Sequence, residues 1–272
     1  MIAYHDFVAA FRRLEIPPDA PVIAHASLSA FGEVQGGADA LLGAMMRVYE
    51  TIVMPGFTFK TMLIPESGPR DNGLTYGQSA DANLMAQFFH PGMPVDRLMG
   101  AVPEALRKHP QAARSMHPIL SFVGIHARSI LESQTVDDPL KPVERLLESQ
   151  GWVLLLGVDH DVNTSIHYAE HLAGRKQFIR WALTPNGVVA CPQFPGCSDG
   201  FFQIAPRIAQ YAREELLANG RLLAIPLNHL IEVARSWIQA DPLALLCDRS
   251  YCERCESVRV HVRAHPDRKT AP

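Results

Sequence analysis

Trp152 to Val158 is an almost unbroken apolar run, the pattern of a strand buried on both faces. A polar turn follows at Asp159 to Asp161. Asn163, Thr164 and Ser165 then favour a helix start, and the helix is expected to run to Ala173, stopped by Gly174. The same alternation of apolar runs and helical spacing recurs along the chain. Residues 1–16 read as an amphipathic helix with Asp6, Arg12 and Arg13 on its polar side. Val22 to Ala24, Ala38 to Tyr49 and Thr51 to Met54 read as a strand–helix–strand unit, closed by Pro55 and Gly56. Val102 to Lys108 predicts a helix and Ile119 to Ile125 a strand. Pro142 starts a helix whose apolar face carries Leu146 and Leu147. Gln177 to Leu183 and Val188 to Cys191 predict a hairpin around Pro185-Asn186-Gly187. Ile204 to Leu217 reads as a helix, Arg221 to Ile225 as a strand and Leu227 to Trp237 as a helix. Strands alternating with helices predict an α/β fold.

Residues 61–94 break the pattern, because Pro65, Gly68, Pro69, Gly73 and Gly77 crowd into them. A loop of this length is expected to be a lid or a binding loop.

At 272 residues, with 47% apolar and 19% charged residues, the chain supports a substantial soluble core. One domain over residues 1–264 is expected, with a flexible tail at 265–272. The formal charge of −3 gives no reason to expect a nucleic acid or a membrane surface as partner. No apolar run approaches the roughly 20 residues that span a bilayer, and the first residues do not read as a signal peptide. Five cysteines cannot all pair within one chain, so a reducing cytoplasm is the expected compartment.

Candidate chemistry gathers at the predicted helix after Trp152–Val158. His167, Glu170 and His171 sit three and four residues apart, so they share a face. That helix begins past the carboxyl end of a strand, where open α/β sheets place ligands. A histidine beside a carboxylate there is a candidate general base with its orienting partner. The loop HASLSAFGEVQGG feeds the helix at Ala38 and offers glycines and a helix N-terminus to a phosphate, although it is neither common phosphate-binding motif. Glu66, Asp71 and Asp81 bring carboxylates to a plausible entrance. Cys247, Cys252 and Cys255 have thiolate-ligand spacing, with His261 as a nominal fourth ligand. A metal is not expected, since structural sites more often show two close pairs.

GVDHDVNTSIHYAE resembles the signature of the aminoglycoside 3-N-acetyltransferase family, the antibiotic N-acetyltransferases. Four further segments are similar to family segments in the same order, so the resemblance runs from Ile2 to Cys255. HASLSAFGEVQGGA matches at His25, Ser27, Leu28, Ser29, Val34, Gly36 and Gly37, with Ala26 replacing a serine. MPGFTF matches at Thr58, expected at the mouth of the site. PVDRLMGAVPEALRKHPQAARSMHP matches at Met99, Gly100, Glu104, Arg107, Arg114, Ser115, His117 and Pro118, whereas Val95, Asp96 and Arg97 depart from the family's TPS. Gly196-Cys197-Ser198 is similar to a GCS segment.

The resemblance implies a mixed-sheet α/β domain with helices around a central sheet. It also implies acetyl-CoA as cosubstrate, an aminoglycoside as acceptor, antibiotic resistance as outcome, and no metal. CoA is expected along the HASL loop, Thr58, Arg114, Ser115, His117, Pro118, Ser121 and Phe122. Glu66, Asp71, Asp81, Asn163 and Asp199 are expected on the antibiotic side. The protein is expected as a monomer or homodimer.

The expected mechanism is direct transfer. An ammonium has no lone pair, so a base must first take a proton, and histidine's ordinary pKa lies near neutrality. His167 is the expected base, Glu170 its partner and Asp161 a second carboxylate. Thr164 or a backbone N–H at the helix start would face the developing oxyanion. Cys197 is the nucleophile to consider if an acyl-enzyme forms. Three rival readings stand beside this one. His167-Tyr168-Ala169-Glu170-His171 is also the H-x-x-E-H pattern of a class of zinc peptidases. The acceptor could be an amine other than an antibiotic, or the chain could bind CoA without catalysis.

Overall fold

The computed structural model describes residues 1–77 and 83–265. Seven strands form one mixed sheet: β1 (Val22–Ala26), β2 (Ile52–Pro55), β4 (Ala112–Arg114), β5 (Phe122–Ile125), β6 (Trp152–Leu156), β9 (Arg213–Leu217) and β10 (Gly220–Pro226). Their order across the sheet is β4-β5-β2-β1-β6-β10-β9. The centre is parallel, with β1 pairing β2 on one side and β6 on the other. Both flanks are antiparallel: β5 joins β2, β4 joins β5, β10 joins β6, and β9 joins β10.

Apart from His25 in β1, the central strands are apolar because both faces of the sheet are covered. In β6, Val153 and Leu155 enter one core while Trp152, Leu154 and Leu156 enter the other. In β10, Leu223 and Ile225 oppose Leu222 and Ala224 in the same way. One face is closed by helices α1 (Tyr4–Arg13), α2 (Gly37–Val48) and α3 (Ala101–Lys108). Phe7 and Phe11 of α1 meet Phe31 and Tyr49 edge to face, at centroid separations of 5.2 and 5.6 Å. Each such fully buried ring contributes about 1.5–3 kcal/mol. Asp6 anchors the start of α1 by accepting from the Ala3 N–H at 2.8 Å. The other face carries the short α4 (Arg128–Glu132), then α5 (Lys141–Glu148) and α6 (Ser165–Leu172), the short α7 (Ala205–Ile208), and α8 (Leu227–Ala240). A last helix, α9 (Glu253–Ala264), was not anticipated from the sequence.

A second, antiparallel sheet of β3 (Met62–Leu63), β7 (Phe178–Thr184) and β8 (Gly187–Phe194) packs beside the first. Its hairpin turns at Pro185-Asn186 with Thr184 facing Gly187, as the turn residues predicted. The irregular 61–94 segment is fastened to this sheet over its described residues. Asn72 imitates a strand partner, donating to the Ile179 carbonyl at 3.0 Å and accepting from the Ile179 N–H at 2.9 Å. Asn83 does the same to Ile64, with both bonds at 2.8 Å.

The expected helix over 204–217 is a correction. Only Ala205–Ile208 is α-helical, and Arg213–Leu217 is the edge strand β9. Arg-Glu-Glu-Leu-Leu favours a helix locally, but its charges have fixed partners in the strand. Arg13 Nε donates to Glu215 at 2.7 Å, Arg213 donates to the Leu14 carbonyl at 2.9 Å, and the Arg213 guanidinium lies over Trp152. Tertiary pairing with β10 overrides propensity. Charges along an exposed edge also discourage pairing with other chains.

No helix among the described residues is long and apolar enough to cross a membrane.

Gly157 closes β6 in the left-handed region at φ +67°, where an added Cβ would stand 2.6 Å from Ala30 Cβ and 2.9 Å from the Ser27 carbonyl. Gly157→Ala is therefore expected to cost about 2 kcal/mol or more, from left-handed strain plus the clash. Urea unfolding of the variant against the parent protein measures this.

Candidate active site

β1, β2 and β6 run in the same direction, and a cavity of about 440 Å³ opens where their carboxyl ends meet the following loops. Its polar lining includes His25, Asp161, Thr164, His167, Asp199 and Arg254. Phe57, Phe59, Leu98, Met99, Leu120 and Phe194 supply much of its apolar wall.

His167 sits in the first turn of α6. Its Nδ1 lies 2.6 Å from Glu170 Oε2, and the other carboxylate oxygen accepts from Arg175 at 2.7 Å. Arg175 is fixed in turn by the carbonyls of Pro242 and Ala244, at 3.0 and 2.6 Å. The three side chains are nearly inaccessible, at 8%, 1% and 8% exposure. Burial by itself raises the pKa of Glu170. The hydrogen bonds and charges of His167 and Arg175 outweigh it, so the carboxyl is held below the usual range. An ionised Glu170 only accepts, so the hydrogen of this bond is assigned to Nδ1. Nε2 is then the ring nitrogen able to act on a molecule in the cavity. Phe201 lies against the ring at 4.8 Å.

The helix start narrows the expected oxyanion site. The Ser165 N–H donates to Asn163 Oδ1 at 3.2 Å, and those of Ile166 and His167 donate to the carbonyls of Asn163 and Thr164. Thr164, which makes no capping bond, is left as the donor that lines the cavity. Asn163, expected to touch substrate, is fully buried and holds this turn instead, with Nδ2 3.3 Å from His160 Nδ1.

His25, the last residue but one of β1, lies on the same side of the sheet as Ile23. Burial pushes its imidazole down to about 3, and neighbouring His160 adds to the effect. His160 is itself lowered by burial to about 4. Both rings are neutral in ordinary buffer, and the Nε2 atoms of both are buried without a hydrogen-bond partner in the described structure. Ser27, Leu28, Ser29, Val34, Gly36 and Gly37 build the loop from β1 into α2, with the Ser27 and Ser29 hydroxyls 3.1 Å apart. Space beside Gly37 is open: a Cβ there would meet nothing within 4 Å.

Several residues expected at the cosubstrate turn inward instead. Thr58 is 1% exposed and donates to the Pro118 carbonyl at 2.7 Å, so it does not sit at the mouth. Arg114 donates to Ser121 at 3.0 Å, to the carbonyls of Pro91 and Gly56 at 3.2 and 2.6 Å, and to that of Met93. Ser115 accepts from the Phe122 N–H at 2.7 Å and donates to Gln134 at 2.5 Å. His117 Nδ1 accepts from the N–H groups of Ile119 and Leu120, and burial holds this ring down at about 4. Pro118, Ser121 and Phe122 are buried as well. These groups brace the β4–β5 turn, and Leu120 is the residue this turn gives to the cavity.

On the expected antibiotic side, Asp161 and Asp199 line the cavity. Asp199 shares its carboxylate with Arg249 at 2.5 Å. Asp71 instead lines a separate surface hollow with Ser250, Tyr251 and residues of α9, and Glu66 is exposed on the segment after β3. Asp81 lies outside the described residues. His171 is exposed and stacks on Tyr168 at 6.2 Å. Of the H-x-x-E-H residues, both oxygens of Glu170 are engaged by His167 and Arg175, and the two histidines differ in setting, His167 buried and His171 exposed. Cys197 is buried, and its hydrogen bond with Cys255 and its burial push the thiol up, which disfavours a nucleophilic thiolate.

Arg175, Ser198, Arg254 and the aromatic wall were missed from sequence. Arg175 carried a faint signal as the cation just past the Gly174 stop of α6.

The sequence profile of the family described as Aminoglycoside 3-N-acetyltransferase matches residues 23–239. The chain belongs to that family. It is 33% identical over 162 residues to the SPbeta prophage-derived aminoglycoside N(3')-acetyltransferase-like protein YokD of Bacillus subtilis (strain 168), covering 55% of this chain and 58% of that protein. It is 33% identical over 190 residues to aminoglycoside N(3)-acetyltransferase IX of Micromonospora chalcea, covering 64% of each. These matches therefore span less than two thirds of the relatives' own lengths. The crystal structure of aminoglycoside acetyltransferase AAC(3)-IVa, as a variant in complex with a gentamicin, superposes with a TM-score of 0.77 at 22% identity, covering 95% of this chain and 97% of that one. The AAC-IIIb binary complex with CoASH gives 0.71 at 21% identity, covering 88% and 96%. At these identities the structures share the fold.

Arg175→Ala leaves a buried carboxylate without its cation and is expected to cost about 3–5 kcal/mol in chemical denaturation. Because the folded-state pKa of Glu170 is depressed, its contribution to stability is full above its unfolded value of about 4.3 and is lost as pH falls through the folded value. Unfolding free energies measured from pH 7 down to pH 3 should show the deficit of Glu170→Gln shrinking toward zero at the acid end.

Proposed function

We propose that this chain transfers the acetyl group of acetyl-CoA to the 3-amino group of the 2-deoxystreptamine ring of an aminoglycoside antibiotic, and so confers resistance to it. The observation that carries this reading is the His167–Glu170–Arg175 chain, with His167 lining the cavity at the carboxyl ends of β1 and β6. Family membership, together with relatives named for this activity and structures bound to a gentamicin and to CoASH, supports the substrates.

In this reading His167 Nε2 takes a proton from the acceptor ammonium, freeing its lone pair. The nitrogen attacks the thioester carbonyl, the C–N bond forms, and Thr164 donates to the oxyanion. Collapse breaks the C–S bond: the sulfur leaves with the electron pair and receives the proton held by His167, while the new amide nitrogen gives up its remaining excess proton to solvent, so that amide, CoA thiol and one proton are the products. Glu170 keeps the imidazole in one tautomer and stabilises its cation, and Arg175 keeps Glu170 ionised. The buried thiol of Cys197 takes no part.

An aminoglycoside is a polycation, and Asp161 and Asp199 are the carboxylates on the cavity wall for its ammonium groups. Acetyl-CoA enters along the loop from Ser27 to Gly37, where the start of α2 and the open space at Gly37 admit a phosphate backbone contact. Its acyl end reaches His167 past His25 and Met99, which line the same cavity.

Thiol release from acetyl-CoA, measured against a panel of 2-deoxystreptamine antibiotics, tests the assignment. Antibiotic-dependent release is expected, and silence across the panel contradicts it. His167→Ala should lose at least ~100-fold in kcat. Near-normal turnover in that variant would remove His167 from the role of base.

A further inference from the structure

Four of the five cysteines meet in space. The sulfurs of Cys197, Cys247, Cys252 and Cys255 all lie within 4.8 Å of one another, and those of Cys247 and Cys255 are 3.5 Å apart. A zinc ion bound by four thiolates at about 2.3 Å needs sulfur–sulfur edges of about 3.8 Å, which falls within this spread. Cys197, Cys247 and Cys255 are buried at 5%, 3% and 1% exposure. The fourth vertex is thus Cys197, fifty residues before Cys247, and not the His261 that sequence spacing nominated.

Backbone N–H groups and a helix start face the sulfurs. Cys197 accepts from the Asp199 N–H at 3.5 Å, and Cys247 accepts from the Arg249 N–H. In both cases the donor lies two residues beyond the cysteine, so two separate turns aim a backbone N–H at a sulfur. Cys252 caps α9 and Cys255 lies in its first turn, where the helix dipole favours negative charge. Arginines from the same segments cross-brace the cluster: Arg254 donates to the Gly196 carbonyl at 2.9 Å, and Arg259 donates to that of Cys247. They supply positive charge beside a centre that would carry two negative charges.

We propose that these four cysteines form a closed, structural tetrathiolate site for a divalent zinc ion. Zn²⁺ displaces the four thiol protons and leaves no coordination position for water, so the ion takes no part in chemistry at His167. Its role is to tie the Gly196–Asp199 turn to the start of α9. Ser198, Asp199 and Arg254 stand beside or between the ligands in sequence and line the catalytic cavity, so the ion would fix that wall. This proposal stands independently of which amine is acetylated.

The full chain, produced with zinc in the medium and purified without chelator, is expected to hold one zinc ion by elemental mass spectrometry. After exchange into Co²⁺ it should show the thiolate charge-transfer and intense ligand-field bands of a tetrahedral tetrathiolate. Cys197→Ala should lose that spectrum and most of the zinc, whereas Cys191→Ala, which removes the cysteine outside the cluster, should keep both. If Cys197→Ala fails to fold, the cobalt spectrum of the parent protein decides. Parent protein without zinc or a tetrathiolate cobalt spectrum, with these cysteines titrating as free thiols or found in disulfides, overturns the proposal. Zinc retained at full stoichiometry in Cys197→Ala overturns it too.

Discussion

A carboxylate buried between a histidine and an arginine is the constraint on which the site depends. Glu170 is 1% exposed, and an unpaired charge there would cost several kcal/mol. It is tolerable because one oxygen meets His167 and the other meets Arg175. Arg175 is tolerable in turn because the chain returns 67 and 69 residues later to place the Pro242 and Ala244 carbonyls on it. His167 is therefore positioned by α6, by the turn that ends it, and by the segment after α8. The rigid sheet beneath explains why these pieces stay in register: β6 delivers α6, β10 pairs with β6, and α8 follows β10 directly.

The strand–helix unit from Trp152 to Ala173 was legible because two periodicities meet there, a continuous apolar run and then residues three and four apart on one helix face. His167, Glu170, Asp161 and Thr164 could be nominated from that stretch alone. His25 and the glycine loop were legible as the first crossover. What could not be read was a partner that lay far away in sequence. Arg114, Ser115, His117 and Thr58 matched a family pattern and are polar, which suggested ligand contact. The fold instead turns their donors and acceptors onto Gly56, Gln134, Pro118 and Phe122. Local propensity likewise hid β9, whose helix-favouring residues are held extended by Arg13, Trp152 and β10.

The cysteines carry the same lesson in another form. Cys247, Cys252 and Cys255 were visible as a ligand spacing, but Cys197 was read only as a weak nucleophile. Its position beside Cys247 is decided by the packing of the turn after β8 against α9, which no spacing along the chain encodes. The proposed chemistry and the proposed ion thus sit on opposite sides of one wall. Asp199 and Ser198 face the cavity, and Cys197 faces the sulfur cluster.

The central claim is that Glu170 fixes His167 with its proton on Nδ1 and leaves Nε2 as the base. Nitrogen-15 NMR of the ring, with histidine labelled and the His167 resonances assigned by substitution, reads this directly. For the neutral ring, the account predicts an N–H signal at Nδ1 and an unprotonated Nε2. Glu170→Gln, which also holds an N–H donor, should disturb that tautomer preference. A neutral ring protonated on Nε2 in the parent protein would contradict the account, because the nitrogen turned toward the substrate would then have no lone pair to offer.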